Sequence, residues 1–313
     1  MNLISRVILV PCNGYINRLQ AIASSQLLAQ ELDASFHVCW MSEPAAPLEP
    51  SKIFQESFLN SYFMDLNAME AELGIPLLQF APHLRHNGSV ISLAGDLFGE
   101  QYFMPELNEM IESLTERTSI VIRSGGNFSL SHHDSWIQRS KWYESFAFNP
   151  EIEQAAQSAS SNHKQYLGLH LRYTDRSHET PTRSQISKAL FELIERTGIH
   201  SVFIASDSRT ELNRWTELLN KSGVESWRYD PASSEAGLEI RGVNALIDWR
   251  LLTRAEALVY FAASSFGSEA AVATGQLESS ISLAPSERIR HQNKVKELGR
   301  ALYRYPKNHG WIS

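Results

Sequence analysis

The chain reads as an α/β protein made of two doubly wound halves facing each other, and three observations predict it. Short β-branched apolar runs alternate with longer segments whose apolar residues recur at helical spacing. That alternation runs from Arg6 to Arg123 and starts again near Gln165. The 313 residues exceed what one small core absorbs and suit two domains of roughly 150 residues each.

Arg6 to Val10 is an apolar strand, Pro11 to Ile16 break it, and Asn17 to Leu32 place Leu19, Ile22, Ala23, Leu27 and Leu28 on a helical stripe. Strands are expected over Ser35–Trp40, Ser89–Leu93 and Ser119–Arg123, with helices over Ile53–Phe63 and Pro105–Leu114. Asn127 to Ser145 holds His132, His133, Asp134, Trp136, Trp142 and Tyr143 without a clear period, which predicts a cleft-facing loop. Its aromatic residues are read as packing anchors or as faces for sugar stacking. In the second series, strands are expected at Tyr166–Arg172, Ser201–Ala205, Leu258–Ala262 and around Ile281. Helices are expected at Ser184–Arg196, Thr210–Asn220, Val243–Glu256 and Ser268–Thr274. Between the two series, Ala155 to Lys164 is small and polar, as where a helix ends and a linker begins, so the boundary is set near 156. No fixed-period repeat argues for a solenoid or propeller.

Composition narrows the function. Hydrophobic residues make up 43% and charged residues 20%, which excludes a disordered chain. The 28 basic residues against 35 acidic ones leave a net charge of -7, which argues against wrapping nucleic acid. Two cysteines, Cys12 and Cys39, exclude a disulfide framework and suit a reducing compartment. The apolar run before Pro11 is too short to span a bilayer, and no later stretch reaches about 18 apolar residues. The expectation is a cytoplasmic protein with no integral membrane span.

Ligands of open parallel sheets bind beyond the carboxyl ends of the strands, so polar residues just past a strand are the first site candidates. His170 and Arg172 lie two apart and share a strand face, and Asp175 falls in the turn that follows. A guanidinium there suits a phosphate and a carboxylate suits a sugar hydroxyl, although an Arg-Asp pair equally closes a turn. Asp207, after a second strand, is an acceptor for ribose or base, or part of a helix cap. Asp248 and the turn Ser264-Ser265-Phe266 make a third place, with backbone amides at a helix start, or again a cap and a paired carboxylate. The loop Pro11 to Leu19 is neither G-x-G-x-x-G nor a Walker sequence, which removes the support for a dehydrogenase or a P-loop nucleotidase. No CxxC or HExxH occurs, and adjacent His132 and His133 lack ligand spacing, so no metal site is expected.

Taken in order, Asn13-Gly14-Tyr15-Ile16-Asn17-Arg18-Leu19, then His170 to Arg176, Ile204-Ala205-Ser206-Asp207, Asp248 to Leu252 and Ala263-Ser264-Ser265-Phe266 form one pattern. It resembles the G-x-x-N-R-L, H-x-R-x-x-D, A-[ST]-D and D-x-x-x-L…S-S-F series of GDP-fucose-dependent fucosyltransferases, closest in type to the α1,6 group. The resemblance spans about residues 13 to 270. It implies a GT-B fold, with residues 1–155 a Rossmann-like acceptor-side domain and 156–313 a Rossmann-like domain binding the GDP-sugar. It further implies inverting transfer of fucose from GDP-fucose to a hydroxyl of a glycan acceptor, with no metal and no cofactor beyond the donor. Arg172 would hold the pyrophosphate, with His170 and Asp175 shaping that pocket. Asp207 and Asp248 would contact guanosine or support its loop, Ser264, Ser265 and Phe266 would meet phosphate, and Asn17 and Arg18 would sit across the cleft. Glu179 is the first candidate for the base that takes the acceptor proton. The chain departs from the H-x-R-R of the α1,6 enzymes by carrying Tyr173 at the second arginine position. The same fold with another nucleotide sugar, or a non-catalytic nucleotide- or sugar-binding homologue, is the alternative.

Overall fold

The structure, a computed structural model, describes residues 3–77, 85–87, 89–94, 104–128, 135–173, 180–229 and 237–285. It contains two compact units. The first comprises the chain to Lys164 together with Tyr229–Arg254 and Glu269–Gln276. The second comprises Gln165–Arg228, Ala255–Ser268 and the described chain from Leu277.

In the first unit β1 (Ile4–Pro11) leads into α1 (Tyr15–Glu31), followed by β2 (Ser35–Val38), α2 (Glu56–Tyr62) and α3 (Leu66–Leu73). Then come β3 (Arg85–Asn87), β4 (Val90–Ala94), α4 (Met104–Glu112), β5 (Thr118–Ser124), α5 (Ser135–Ser145) and α6 (Pro150–Ser160). The sheet order is β2-β1-β5-β4-β3, parallel throughout except that edge strand β3 runs antiparallel to β4. β1 is buried without interruption from Val7 to Pro11, as expected of a central parallel strand covered on both faces. α3 is set by local signals: Asp65 accepts from the Ala68 N–H, and Gly74 ends the helix in the left-handed region at φ 67°.

The second unit starts with β6 (Leu167–Leu171), α7 (Arg183–Thr197), β7 (Ser201–Ser206), α8 (Arg209–Lys221) and β8 (Glu225–Trp227). The chain then returns to the first unit for α9 (Leu238–Leu252), which packs on α6. β9 (Leu258–Phe261), α10 (Ser265–Ala273) and β10 (Ile281–Leu283) follow. The second sheet is fully parallel, in the order β10-β9-β6-β7-β8. Leu167, Leu169 and Leu171 of its central strand enter a core with Ile186, Leu190 and Leu193 of α7 and Trp215 and Leu219 of α8. α7 opens with a reciprocal cap in which Thr182 and Gln185 satisfy each other's backbone N–H, and it closes on Gly198 at φ 69°.

Two expectations need correction. The loop expected over Asn127–Ser145 is helical from Ser135 to Ser145 as α5, while His132, His133 and Asp134 lie outside the described residues. The buried face of α5 is Arg139, Ser140, Trp142 and Tyr143, so polar side chains occupy positions where an apolar period would be sought. Trp142 stacks on Phe146 at 4.8 Å and donates from Nε1 to Gln26 Oε1 at 2.7 Å, which makes it a packing anchor. The polar stretch Ala155–Lys164 is helical to Ser160, because Asn149 caps α6 at the Glu151 N–H and Pro150 occupies its first turn. Position 156 therefore falls inside α6, and the chain leaves the first unit after Lys164.

Candidate functional site

The second unit gathers polar groups at the carboxyl edge of its sheet. β6 and β7 pair in parallel with His170 opposite Ala205 and Leu171 opposite Ser206, so Arg172 and Asp207 are the next residues on each strand. Because Leu169 and Leu171 point into the core, His170 points to the opposite face of the sheet. There its ring stacks on Phe266 at 5.1 Å and 22°. Burial above all, and Arg172 with it, pushes the imidazole pKa down to about 3 against the opposing effect of Asp207. His170 is thus neutral at pH 7, beside one cation and one carboxylate.

Backbone geometry completes the arrangement. Asp207 is exposed, and its Oδ1 accepts the Tyr173 N–H at 2.8 Å, which ties the turn after β6 to the turn after β7. The Arg172 carbonyl accepts from Thr180 Oγ1 at 3.2 Å. The Tyr173 ring packs edge-on against Phe261 at 5.8 Å and joins the hydrophobic core. The position that carries the second arginine in the α1,6 pattern therefore faces inward, and among the described residues Arg172 is the cation beside His170.

After β9, the Ser264 N–H bonds back to the Phe261 carbonyl at 2.9 Å and α10 begins at Ser265. Sequence reasoning missed Gly267. A Cβ built there would lie 2.7 Å from His170 Nδ1 and 2.7 Å from Tyr260 Cβ, so the absence of a side chain lets α10 approach β6. The signal was a glycine one residue after Ser-Ser-Phe in a strand-to-helix turn. Two buried polar atoms here have no partner among the described residues, His170 Nδ1 and Ser264 Oγ. Buried polar atoms normally find partners, and these two stand at a strand edge beside a helix start. A guanidinium, a helix N-terminus, a buried hydroxyl and a neutral imidazole suit a phosphorylated ligand.

The remaining candidates stand elsewhere. Asn17 and Arg18 lie in the first turn of α1, in the first unit. Arg18 is fully buried: Nε donates to the Asn13 carbonyl at 2.8 Å, Nη1 to the Met41 carbonyl at 2.6 Å and Nη2 to Glu43 at 3.0 Å. Its guanidinium also lies 4.4 Å from the Trp40 ring centroid. These bonds hold the β1–α1 loop, where Asn13 is left-handed at φ 66°. Gly125 packs so tightly on that loop that a Cβ would meet the Cys12 carbonyl oxygen and Asn13 Nδ2, each at 2.6 Å. Asp248 is in α9 of the first unit, half-buried, and burial raises its pKa to about 8. Asp175 and Glu179 lie outside the described residues. Among the described residues no cluster of three or more His, Cys, Asp or Glu side chains is placed to hold a metal ion.

Two doubly wound units, each carrying a largely parallel sheet, define the GT-B fold, and the comparisons place the chain beside fucosyltransferases of that fold. It is similar to POFUT1 in complex with GDP, at 16% identity and TM-score 0.55, over 90% of this chain and 98% of that one. It is similar to a mutant of Arabidopsis thaliana FUT1 in complex with GDP, at 14% identity and TM-score 0.59, over 87% and 68%. NodZ alpha-1,6-fucosyltransferase soaked with GDP-fucose aligns at 16% identity and TM-score 0.54, over 86% and 92%. No protein-family model and no curated protein matches the chain.

Proposed function

We propose that the chain is an inverting fucosyltransferase that moves fucose from GDP-fucose to a hydroxyl of a glycan acceptor without a required metal. The observation that carries this reading is the cluster of Arg172, neutral His170, Asp207 and the orphaned Ser264 hydroxyl at the carboxyl edge of β6, β7 and β9. The similar structures named above were obtained with GDP or GDP-fucose, which supports the choice of nucleotide. In this reading the second unit is the donor side and the first the acceptor side.

Arg172 grips the β-phosphate, and Ser264, Ser265 and Phe266 bring hydroxyls and the amides of the α10 start to the pyrophosphate. Asp207 meets the guanosine. Asn17, Arg18 and Asp248 stand in the first unit, where Arg18 acts by holding the β1–α1 loop through the Asn13 carbonyl. As the acceptor oxygen bonds to C1 of fucose, the C1–O bond to the β-phosphate breaks and its electron pair leaves with GDP. The leaving group gains negative charge, so a guanidinium on that phosphate stabilises the transition state more than the bound donor. Arg172 thereby does the work of a divalent cation. The acceptor proton passes to a carboxylate, for which we assign Glu179, with Asp175 orienting Arg172. No described helix is long and apolar enough to cross a membrane. Cys12 and Cys39 are buried free thiols, which suits the cytoplasm as the place of reaction.

One experiment tests donor and base together. Thermal unfolding is followed with GDP, GDP-fucose, GDP-mannose and UDP-glucose in EDTA, and turnover of GDP-fucose is measured in parallel. Saturating GDP and GDP-fucose are expected to raise Tm by several degrees, as a ligand at about 100 times its Kd adds roughly 2.7 kcal/mol. Arg172→Ala is expected to abolish that shift, and Glu179→Gln to keep it while losing turnover at least a hundredfold. Stabilisation by UDP-glucose alone overturns the choice of donor, and full turnover in Glu179→Gln removes Glu179 from the mechanism.

A further inference from the structure

The first unit carries a groove of about 320 Å³ walled by the C-terminal half of α1, by α2 and by the end of α5. None of the side chains lining it carries a charge. Three are amides, Gln26, Gln30 and Gln55, and four are rings, Phe58, Tyr62, Trp142 and Phe146. The rings form one packed set, with Phe58 4.8 Å from Tyr62 and 6.4 Å from Trp142. The Trp142 Nε1 donates to Gln26 Oε1 at 2.7 Å, which holds the Gln26 amide in one orientation.

Each feature points to the same ligand chemistry. A nucleotide or an acidic chain would need a cation that this groove lacks, and a basic peptide would need a carboxylate. Primary amides donate and accept at once, as pairs of neighbouring hydroxyls do, while aromatic faces take up the C–H faces of pyranose rings. The part-exposed Phe58 and Tyr62 stand here for that role, and the buried Trp142, stacked on Phe146, backs them. The volume is at the small end of ligand sites and suits a short run of sugar rings. α1 starts at the carboxyl end of β1, and at 1.5 Å rise per residue Gln26 and Gln30 lie roughly 16 and 22 Å further along it. The groove is therefore remote from the strand-end edge of its own sheet.

We propose that this groove is a subsite for a neutral oligosaccharide segment of the acceptor, distant from the hydroxyl that reacts. The proposal rests on the glycosyltransferase reading above and deepens it. The subsite recognises acceptor length: it holds the far part of a long chain and leaves a short acceptor untouched.

The test uses the full chain and neutral β-1,4-glucose and α-1,6-mannose hexasaccharides, with a neutral hexapeptide and a hexauronic acid as contrasts. Binding is measured by calorimetry and by saturation transfer to the ligand. Ser61→Trp fills the groove from an exposed position of α2, and Gln30→Ala removes one amide. At least one neutral hexasaccharide is expected to bind, with Kd raised at least tenfold by Ser61→Trp and about threefold by Gln30→Ala, and with Tm unchanged in both. In turnover, KM for a long acceptor rises in Ser61→Trp while kcat/KM for a short one stays constant. Binding of neither hexasaccharide, equal binding in Ser61→Trp, or preference for the peptide or the acidic chain overturns the subsite. Stabilisation by GDP-fucose in the same preparations reports the donor site separately. Hexasaccharide binding without it sinks the transferase reading and leaves a sugar-binding groove.

Discussion

A methyl group added at Gly267 would press on His170 and Tyr260, and this makes the glycine a measure of how firmly the strand edge is built. Both contacts would be 2.7 Å, and neither atom is the far end of a flexible side chain. Gly267→Ala is expected to cost about 1–3 kcal/mol in urea unfolding and to weaken GDP binding by displacing the imidazole. Unchanged stability together with unchanged GDP affinity would show that His170 has room to move. His170, Arg172 and Asp207 were legible in the sequence because each stands at or just past an apolar strand. The inward turn of Tyr173 was not legible, since it depends on Phe261, 88 positions further on. Arg18 was legible as a motif position, but its burial was not. Its partners at Met41 and Glu43 lie in an irregular segment with no period to read.

At the scale of elements, α5 shows how a buried ion pair hides a helix from sequence reading. Arg139 and Glu269 are 4% and 1% exposed and meet at 3.0 Å, and Gln20 Nε2 donates to the other carboxylate oxygen at 2.7 Å. Removing one partner of such a pair leaves an uncompensated charge inside the protein. Replacing both by apolar residues is often close to neutral. Arg139→Leu is expected to lower stability by about 3–5 kcal/mol, and adding Glu269→Leu to restore most of it, as read from denaturant midpoints. Equal loss in the single and double variants would show that packing volume, not charge, is what Arg139 supplies. α6 was missed for a related reason. Its sequence is rich in small and polar residues, and its partner α9 is almost 90 positions later in the chain.

For the molecule as a whole, the half-buried carboxyl of Asp248 ties stability to pH. Its proton is held up to about pH 8 in the folded chain, against an ordinary value of 3.8. The folded state therefore binds more protons than the unfolded one between these values, and stability falls as pH rises through that window. Asp248→Asn is expected to match the parent at pH 4 and to gain progressively up to pH 8. Because Asp248 keeps part of its surface open, the gain is about 2 kcal/mol, below the ceiling for a full shift. A Tm difference constant with pH would show that the carboxyl ionises normally. His170 acts in the opposite direction: its folded value of about 3 lies below the ordinary 6.5, so stability is lost as pH falls from about 6.5 to 3.

By itself the sequence determined the α/β class, most elements of both sheets and the order of polar residues beyond the strands, because periodicity and turn residues act over short chain distances. Only the tertiary structure decided that α9 and the end of α10 belong with the first unit, that Arg18 is consumed by internal hydrogen bonds, and that Gly267 admits α10 against His170. Each of these depends on which distant surfaces bury one another. Burial area and hydrogen-bond satisfaction settle that for the chain as a whole, and no local pattern encodes it.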